Sequence, residues 1–155
     1  NDDIYNVVDN AVKIRERADV EIATLLSGGV DSSIITGLMT KHGLKPNAYY
    51  LNSDDEELMR AKKVANIFNL PLKIFEYNKS LQEKLYKKMV TAYGEDVRLL
   101  PLTHAARLYE QISKENIKTV MTGIGADEIF YGYDGANKQL FFSDIIKLIE
   151  FLPNI

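Results

Sequence analysis

Ser27-Gly28-Gly29-Val30-Asp31-Ser32-Ser33, entered directly from the apolar run Ala23 to Leu26, decides the fold of this chain. A short apolar run bounded by glycine reads as a buried strand. Beyond the loop, Ile34, Ile35, Leu38 and Met39 recur at helical spacing, so strand, tight loop and helix follow in order. Unpaired N–H groups at a helix start carry the positive end of its dipole, and a phosphate chain resting on Gly28 to Ser33 is held there without a lysine. The two glycines let the backbone approach such a ligand, and the serine hydroxyls converge on it. Asp31 suits magnesium, which takes hard oxygen ligands and usually only one or two carboxylates beside the phosphates. The commoner phosphate loop ends in Gly-Lys-Ser/Thr, and no Gly-Lys pair occurs here. A plain turn with Asp31 or Ser32 as N-cap explains less, because capping asks for neither two glycines nor three serines.

Working outward, Ile4, Val7, Val8, Ala11 and Ile14 predict a leading helix with these residues near one face. Strands are expected at Glu21 to Leu26, Asn47 to Asn52, Leu72 to Tyr77 and Lys118 to Thr122. Between them lie a helix stopped by Gly43 and a helix opened by Asp54, Asp55, Glu56 and Glu57 that buries Leu58, Ala61, Ala65 and Phe68. A third has Leu81, Leu85, Met89 and Ala92 inward and Lys79, Lys84, Lys87 and Lys88 in solvent, and a fourth presents Ala105, Leu108, Tyr109 and Ile112. Strands alternating with helices specify an α/β fold, a parallel sheet with helices on both faces. Ligands of such sheets sit beyond the carboxyl ends of the strands where the strand order reverses. Residues 1–155 are expected to form a single domain.

Composition narrows the function. At 46% hydrophobic residues the chain can bury a core without staples, and with no cysteine it has no disulfide, zinc-thiolate site or thiol nucleophile. Only His42 and His104 are present, which argues against a multi-histidine metal site; His42 reads as a last-turn residue favoured by the helix dipole and His104 as a polar helix position. A net charge of -3 is a poor electrostatic footprint for nucleic acid. No stretch has the length of a membrane helix and the charged opening does not suit a signal peptide, so no membrane partner and a cytoplasmic location are expected. Tyr49, Tyr50, Tyr131 and Tyr133 read as half-buried packing rather than ligand contacts.

Thr122-Gly123-Ile124-Gly125-Ala126-Asp127-Glu128 again sets glycines and then acids behind a short apolar strand. Alone it is an ordinary turn into a helix. Were the first and fourth strands neighbours across the switch point, Asp31 and Asp127 would both face one metal ion and the triphosphate.

With both loops in view, the chain resembles the synthetase domain of asparagine synthetases, within the PP-loop ATP pyrophosphatases of the adenine nucleotide alpha hydrolase-like fold. Ser27 to Ser33 match that family's Ser-Gly-Gly-Leu/Val-Asp-Ser-Ser loop, and Gly123, Gly125, Ala126, Asp127 and Glu128 match its Ser-Gly-Glu-Gly-Ala-Asp-Glu loop. Phe130, Gly132 and Tyr133 resemble its Phe-Gly-Gly-Tyr continuation. The resemblance implies an AMP-forming, ATP-dependent amide synthetase that activates a small-molecule carboxylate as an acyl-adenylate for attack by ammonia or an amine, with ATP and magnesium. By position it implies that Ser27, Gly28, Gly29, Ser32 and Ser33 hold pyrophosphate, that Asp31 and Asp127 hold magnesium, and that Leu25, Leu26 and Leu51 line the adenosine site. Thr122 and Gly123 would lie near AMP, and Glu128 would be the substrate-side carboxylate.

Two features depart from that pattern. Ile124 stands where these synthetases carry a glutamate, and isoleucine can neither accept a proton nor pair with an amino group. No glutaminase domain with its N-terminal cysteine lies within residues 1–155, so free ammonia, another amine, or a separate glutaminase subunit or domain is expected to supply the nitrogen. Lys138 is the candidate for the family's later pyrophosphate-binding lysine. The other readings are a non-catalytic ATP or AMP sensor or scaffold that keeps the cradle, and another PP-loop ligase; the lack of cysteine argues against the sulfur-transfer members.

Overall fold

Ile22–Leu25 forms β1, whose first three residues are buried, as a strand covered on both faces requires. In the computed structural model, residues 2–52, 54–76, 78–94 and 100–130 are described. Two units divide the chain, Asn1–Gly123 and Ile124–Ile155. The first runs α1 (Asp2–Arg15), β1, α2 (Val30–Lys41), β2 (Ala48–Asn52), α3 (Asp55–Ile67), β3 (Leu72–Glu76), α4 (Lys79–Tyr93), α5 (Leu100–Lys114) and β4 (Thr119–Met121). Described residues of the second unit include one short helix, α6 (Ala126–Phe130).

The strands pair in the order β3-β2-β1-β4, all parallel. Thr24 stands opposite Ala48 of β2 on one side and Met121 of β4 on the other. β1 is therefore interior to the sheet, and the order reverses between β1 and β4. That is the switch point at which ligands of open α/β sheets bind.

Alternation along the strands sorts the core into two faces. Ala23, Tyr49 and Leu51 pack with Leu108 and Ile112 of α5 and with Ile117. Ile22 and Met121 instead meet Val12 of α1 and Leu38 and Met39 of α2, while Ala48 and Leu26 meet Ala65 of α3. Helices thus cover both faces. Local signals set their ends. The Asp54 side chain accepts from the N–H of Glu57 at 2.9 Å and opens α3, with Asp55, Glu56 and Glu57 in the first turn; Asn78 caps α4 through the N–H of Leu81 at 3.0 Å. Gly94 ends α4 in the left-handed region, at φ +72°.

Several inward faces differ from the sequence expectation. Val12 is the buried residue of α1, with Val8 beside it, whereas Ile4, Val7 and Ile14 are more than half exposed. Five apolar residues in α1 span more arc than one contact covers, and α2 takes only the Val8–Val12 side. Among the described side chains of α4 the deepest is Gln82, 6% exposed, while Ala92 faces solvent. Tyr49 and Tyr50 are fully packed rather than half-buried, and Tyr131 and Tyr133 lie outside the described residues. His42 sits at the C-cap of α2, but carboxylates hold it: Nδ1 lies 2.9 Å from Glu16 Oε2 and Nε2 lies 3.2 Å from Asp9 Oδ1. The Glu16 hydrogen bond, aided by Asp9, raises the His42 pKa above its ordinary 6.5.

Candidate functional site

The turn from β1 into α2 closes on itself through Gly29. The Gly29 N–H donates to Ser27 Oγ at 3.3 Å, Ser27 Oγ lies 3.1 Å from Ser32 Oγ, and Ser32 Oγ donates to the Gly29 carbonyl at 3.2 Å. A hydroxyl has one proton. Because Ser32 gives its proton to Gly29, Ser27 is the donor in the Ser27–Ser32 pair. Ser33 Oγ donates to the same carbonyl at 2.6 Å. Hydroxyls of Ser27, Ser32 and Ser33 therefore gather around the N–H and carbonyl of one residue, Gly29, beside the first turn of α2.

Gly29 is the N-cap of α2, with extended backbone (φ -69°, ψ 167°) and no side-chain cap. Neither Asp31 nor Ser32 caps the helix; Asp31 lies in its first turn, where the dipole favours a carboxylate. Among the described residues, a Cβ placed on Gly29 would meet only Ser27 Oγ, at 3.4 Å, an ordinary van der Waals contact. Gly28 is different. Its φ is +76°, and a Cβ there would strike the Arg60–Ala61 backbone of α3 and lie 2.6 Å from Arg60 Cβ. The two glycines differ in what the missing Cβ serves: at Gly28 it lets the loop rest on α3, and at Gly29 it leaves that flank clear of the other described residues.

Gly123, just past β4, belongs to the same construction. A Cβ on it would fall 2.8 Å from Asp31 Cβ and 2.9 Å from the Ser32 nitrogen. The end of β4 thus presses against the first turn of α2, and Thr122-Gly123 and Asp31-Ser32 form neighbouring walls at the switch point. Leu25 ends β1 and Leu26, fully buried, follows it; Leu51 lies one residue before the end of β2. Asp127 and Glu128 occupy the first turn of α6 in the second unit. Lys138 lies outside the described residues.

The carboxylate chemistry of the first unit suits magnesium in one way only. Asp31 has no hydrogen-bond or ion-pair partner among the described residues, and no group of three or more His, Asp or Glu residues there is placed to hold a metal. A lone open carboxylate fits a cation that completes its shell with phosphate oxygens and water, and does not fit an all-protein cage.

Sequence reading missed two residues beneath the loop. Thr24 Oγ1 of β1 lies 2.9 Å from Thr36 Oγ1 of α2, and both residues are wholly buried. The available signal was a hydroxyl inside an apolar strand facing another one turn beyond Ser32. Shifted titrations lie elsewhere. Tyr49, pushed up to about 12 by burial and by its hydrogen bond to Glu115, belongs to a cluster in which the Lys73 ammonium lowers the pKa of Glu115. A depression of about 670 Å³ follows the outer side of α3, lined by Glu56, Met59, Arg60, Lys62, Lys63 and Asn66. Arg60 is its link to the loop, through Gly28.

Comparison with known proteins agrees with this geometry. The asparagine synthase family model matches residues 3–152. An amidase, chyE, of Penicillium rubens is 31% identical over 84% of the chain, and a protein of Methanocaldococcus jannaschii named as a glutamine-hydrolysing asparagine synthetase is 30% identical over 80%. The matched regions are 22% and 23% of those relatives, so the chain spans less than a quarter of their length. Among solved structures, an ammonia-dependent NAD synthetase from Campylobacter jejuni superposes with TM-score 0.51 at 19% identity, covering 96% of this chain and 73% of its own. An NMN synthetase from Francisella tularensis gives TM-score 0.51 at 20% identity, covering 83% and 55%. These likenesses show the PP-loop α/β fold.

Proposed function

The chain belongs to the asparagine synthase family, and from that premise we propose that it binds magnesium-ATP at the Ser27–Ser33 loop and activates a carboxylate as an acyl-adenylate. Pyrophosphate leaves as the adenylate forms, and ammonia or an amine then displaces AMP from the acyl group. The observation that carries the reading is the position of the loop. Its serine hydroxyls, the backbone of Gly29 and the Asp31 carboxylate, unpaired among the described residues, lie where the strand order reverses, with Asp31 and Ser32 against Gly123 just past β4.

A carboxylate attacking the α-phosphorus approaches a centre of like charge, so the catalytic task is positioning and charge neutralisation. Backbone N–H groups at the start of α2 and the hydroxyls of Ser27, Ser32 and Ser33 would hold the β and γ phosphates as one leaving group. Magnesium, when bound, would offset their charge; Asp31 is the residue of the first unit proposed to hold it. Leu25, Leu26 and Leu51 are assigned to adenosine, Thr122 and Gly123 to the AMP moiety, and Glu128 to the acid or amine substrate.

Phosphorus NMR of a turnover mixture tests the bond that breaks: AMP and pyrophosphate are expected, and ADP with orthophosphate would overturn the mechanism. Asp31→Asn keeps the shape and removes a metal-ligand charge, so magnesium-ATP affinity by calorimetry should fall at least about tenfold, the equivalent of ~1.4 kcal/mol. Equal affinity in the two proteins would remove Asp31 from the site. Ile124 favours a second reading, an ATP or AMP sensor, since it lacks the acid the family carries there. In that case magnesium-ATP binds, and no pyrophosphate is released with any acid and amine pair.

A further inference from the structure

We propose that the buried Thr24–Thr36 hydroxyl pair is a positioning device that holds the angle between β1 and α2 while the cradle serines are engaged with phosphate. The inference rests on the Ser27–Ser33 loop being a phosphate site. Two hydroxyl rungs join β1 and its loop to α2: Ser27–Ser32 at 3.1 Å in the loop and Thr24–Thr36 at 2.9 Å in the core. The rungs are three positions apart along the strand side and four, about one helical turn, along α2.

The outer rung cannot serve the fold and the ligand at once. Each serine has a single proton, and these protons now complete the circuit from the Gly29 N–H back to the Gly29 carbonyl. Phosphate oxygens accept only, so Ser27 and Ser32 must turn their protons away from that circuit to bind them. The Ser27–Ser32 rung then opens when the geometry of the loop matters most. Thr24 and Thr36 are 0% exposed and no ligand competes for them. Their rung survives binding. A hydrogen bond is directional where apolar packing is not, so this pair fixes the register of α2 on β1, and with it the donors at the head of the helix.

The test separates this role from simple stability. Replacing both partners of a buried hydrogen bond by apolar groups of the same shape can be nearly neutral for folding, so Thr24→Val combined with Thr36→Val should unfold near the wild-type temperature. Its affinity for magnesium pyrophosphate, measured by calorimetry on the 155-residue chain, should fall about tenfold, the equivalent of ~1.4 kcal/mol. AMP, which has no β or γ phosphate, should bind both proteins alike. The pair Thr24→Ser and Thr36→Ser keeps both hydroxyls and should restore pyrophosphate affinity to within about twofold. If the valine pair does not fold, Thr36→Ala, which removes the hydroxyl and leaves room, is compared with Thr36→Ser in the same assay.

Wild-type pyrophosphate affinity in the valine pair, or in Thr36→Ala, overturns the inference. So does an equal loss for AMP and pyrophosphate, which would mark a general packing defect. A wild-type chain that binds neither magnesium pyrophosphate nor magnesium-ATP overturns the functional reading itself. The two failures are distinct because only the second is seen before any substitution is made.

Discussion

At Gly28 a Cβ would fall 2.6 Å from Arg60 Cβ and nearer still to the α3 backbone, with φ at +76°. Gly29, its neighbour, has φ -69° and an open flank. Alanine should therefore act oppositely at the two positions. Gly28→Ala combines a left-handed residue, at ~1–2 kcal/mol, with overpacking against a backbone that has no rotamer to yield, so a loss above about 2 kcal/mol in denaturant unfolding is expected. Gly29→Ala trades a poorer N-cap against a less entropic unfolded chain and should stay within about 1 kcal/mol of wild type. Its Cβ nevertheless stands on the ligand side, and magnesium-ATP affinity should drop. Comparable stability loss in both variants would show that the loop does not rest on α3. Sequence marked both glycines, and it could not divide their roles, because the wall that Gly28 meets comes from residues about thirty positions later. Gly123 was hidden in the same way: the turn composition was visible, while its press against Asp31 and Ser32 is a property of strand order.

Charged residues at the far end of α2 tie that helix to α1, away from the loop at its head. His42 lies between Asp9 and Glu16, with a side chain 13% exposed, and Lys41 also meets Asp9, at 2.9 Å. A hydrogen bond from Lys41 is the chief cause that lowers the pKa of Asp9, and one with Tyr5 is the chief cause that raises that of Lys41. The partners raise the His42 pKa in the folded state, so folding binds a proton there. The stabilisation is complete below the unfolded value, near 6.5, and is lost as pH rises through the higher folded value. Thermal unfolding should thus show a fall in stability on passing from slightly acid to alkaline pH, and His42→Gln should flatten that fall. An unchanged profile in the variant would locate the dependence elsewhere. Sequence periodicity found α1 and α2 as elements but not this contact. Position in the last turn suggested the dipole as the partner of His42; the carboxylates that hold it are more than twenty-five residues away and follow from how the helices cross. The same limit explains α1, whose apolar residues were legible while the side that faces the core was set by α2.

Among the described residues four parallel strands run in the order β3-β2-β1-β4, and the order reverses between β1 and β4, the position at which open α/β sheets bind their ligands. The alternation of strands and helices made the sheet readable from sequence, and the two glycine loops were legible as turns that follow β1 and β4. The order of strands was inferred as a condition, and the Thr24–Met121 register meets it within the first unit. This arrangement has a consequence for exchange of backbone hydrogens. β1 and β2 each have a hydrogen-bonded neighbour on both sides and lie between buried clusters on both faces, so their amides should exchange more slowly than those of β3 and β4 in the free protein. Magnesium-ATP should add protection where its phosphates and ribose would rest, in peptides covering Leu26–Ser33 and the Met121–Gly123 end of β4. β3 is two strands from the switch point, and α4, which follows it, carries none of the residues assigned to the nucleotide. Peptides from Leu72–Glu76 and Lys79–Val90 should consequently exchange at the same rate with and without the nucleotide. Mass spectrometry resolves these segments in a single experiment. Protection concentrated on β3 and α4, with none at the β1 and β4 ends, would move the nucleotide to another edge of the molecule and break the link between strand order and function.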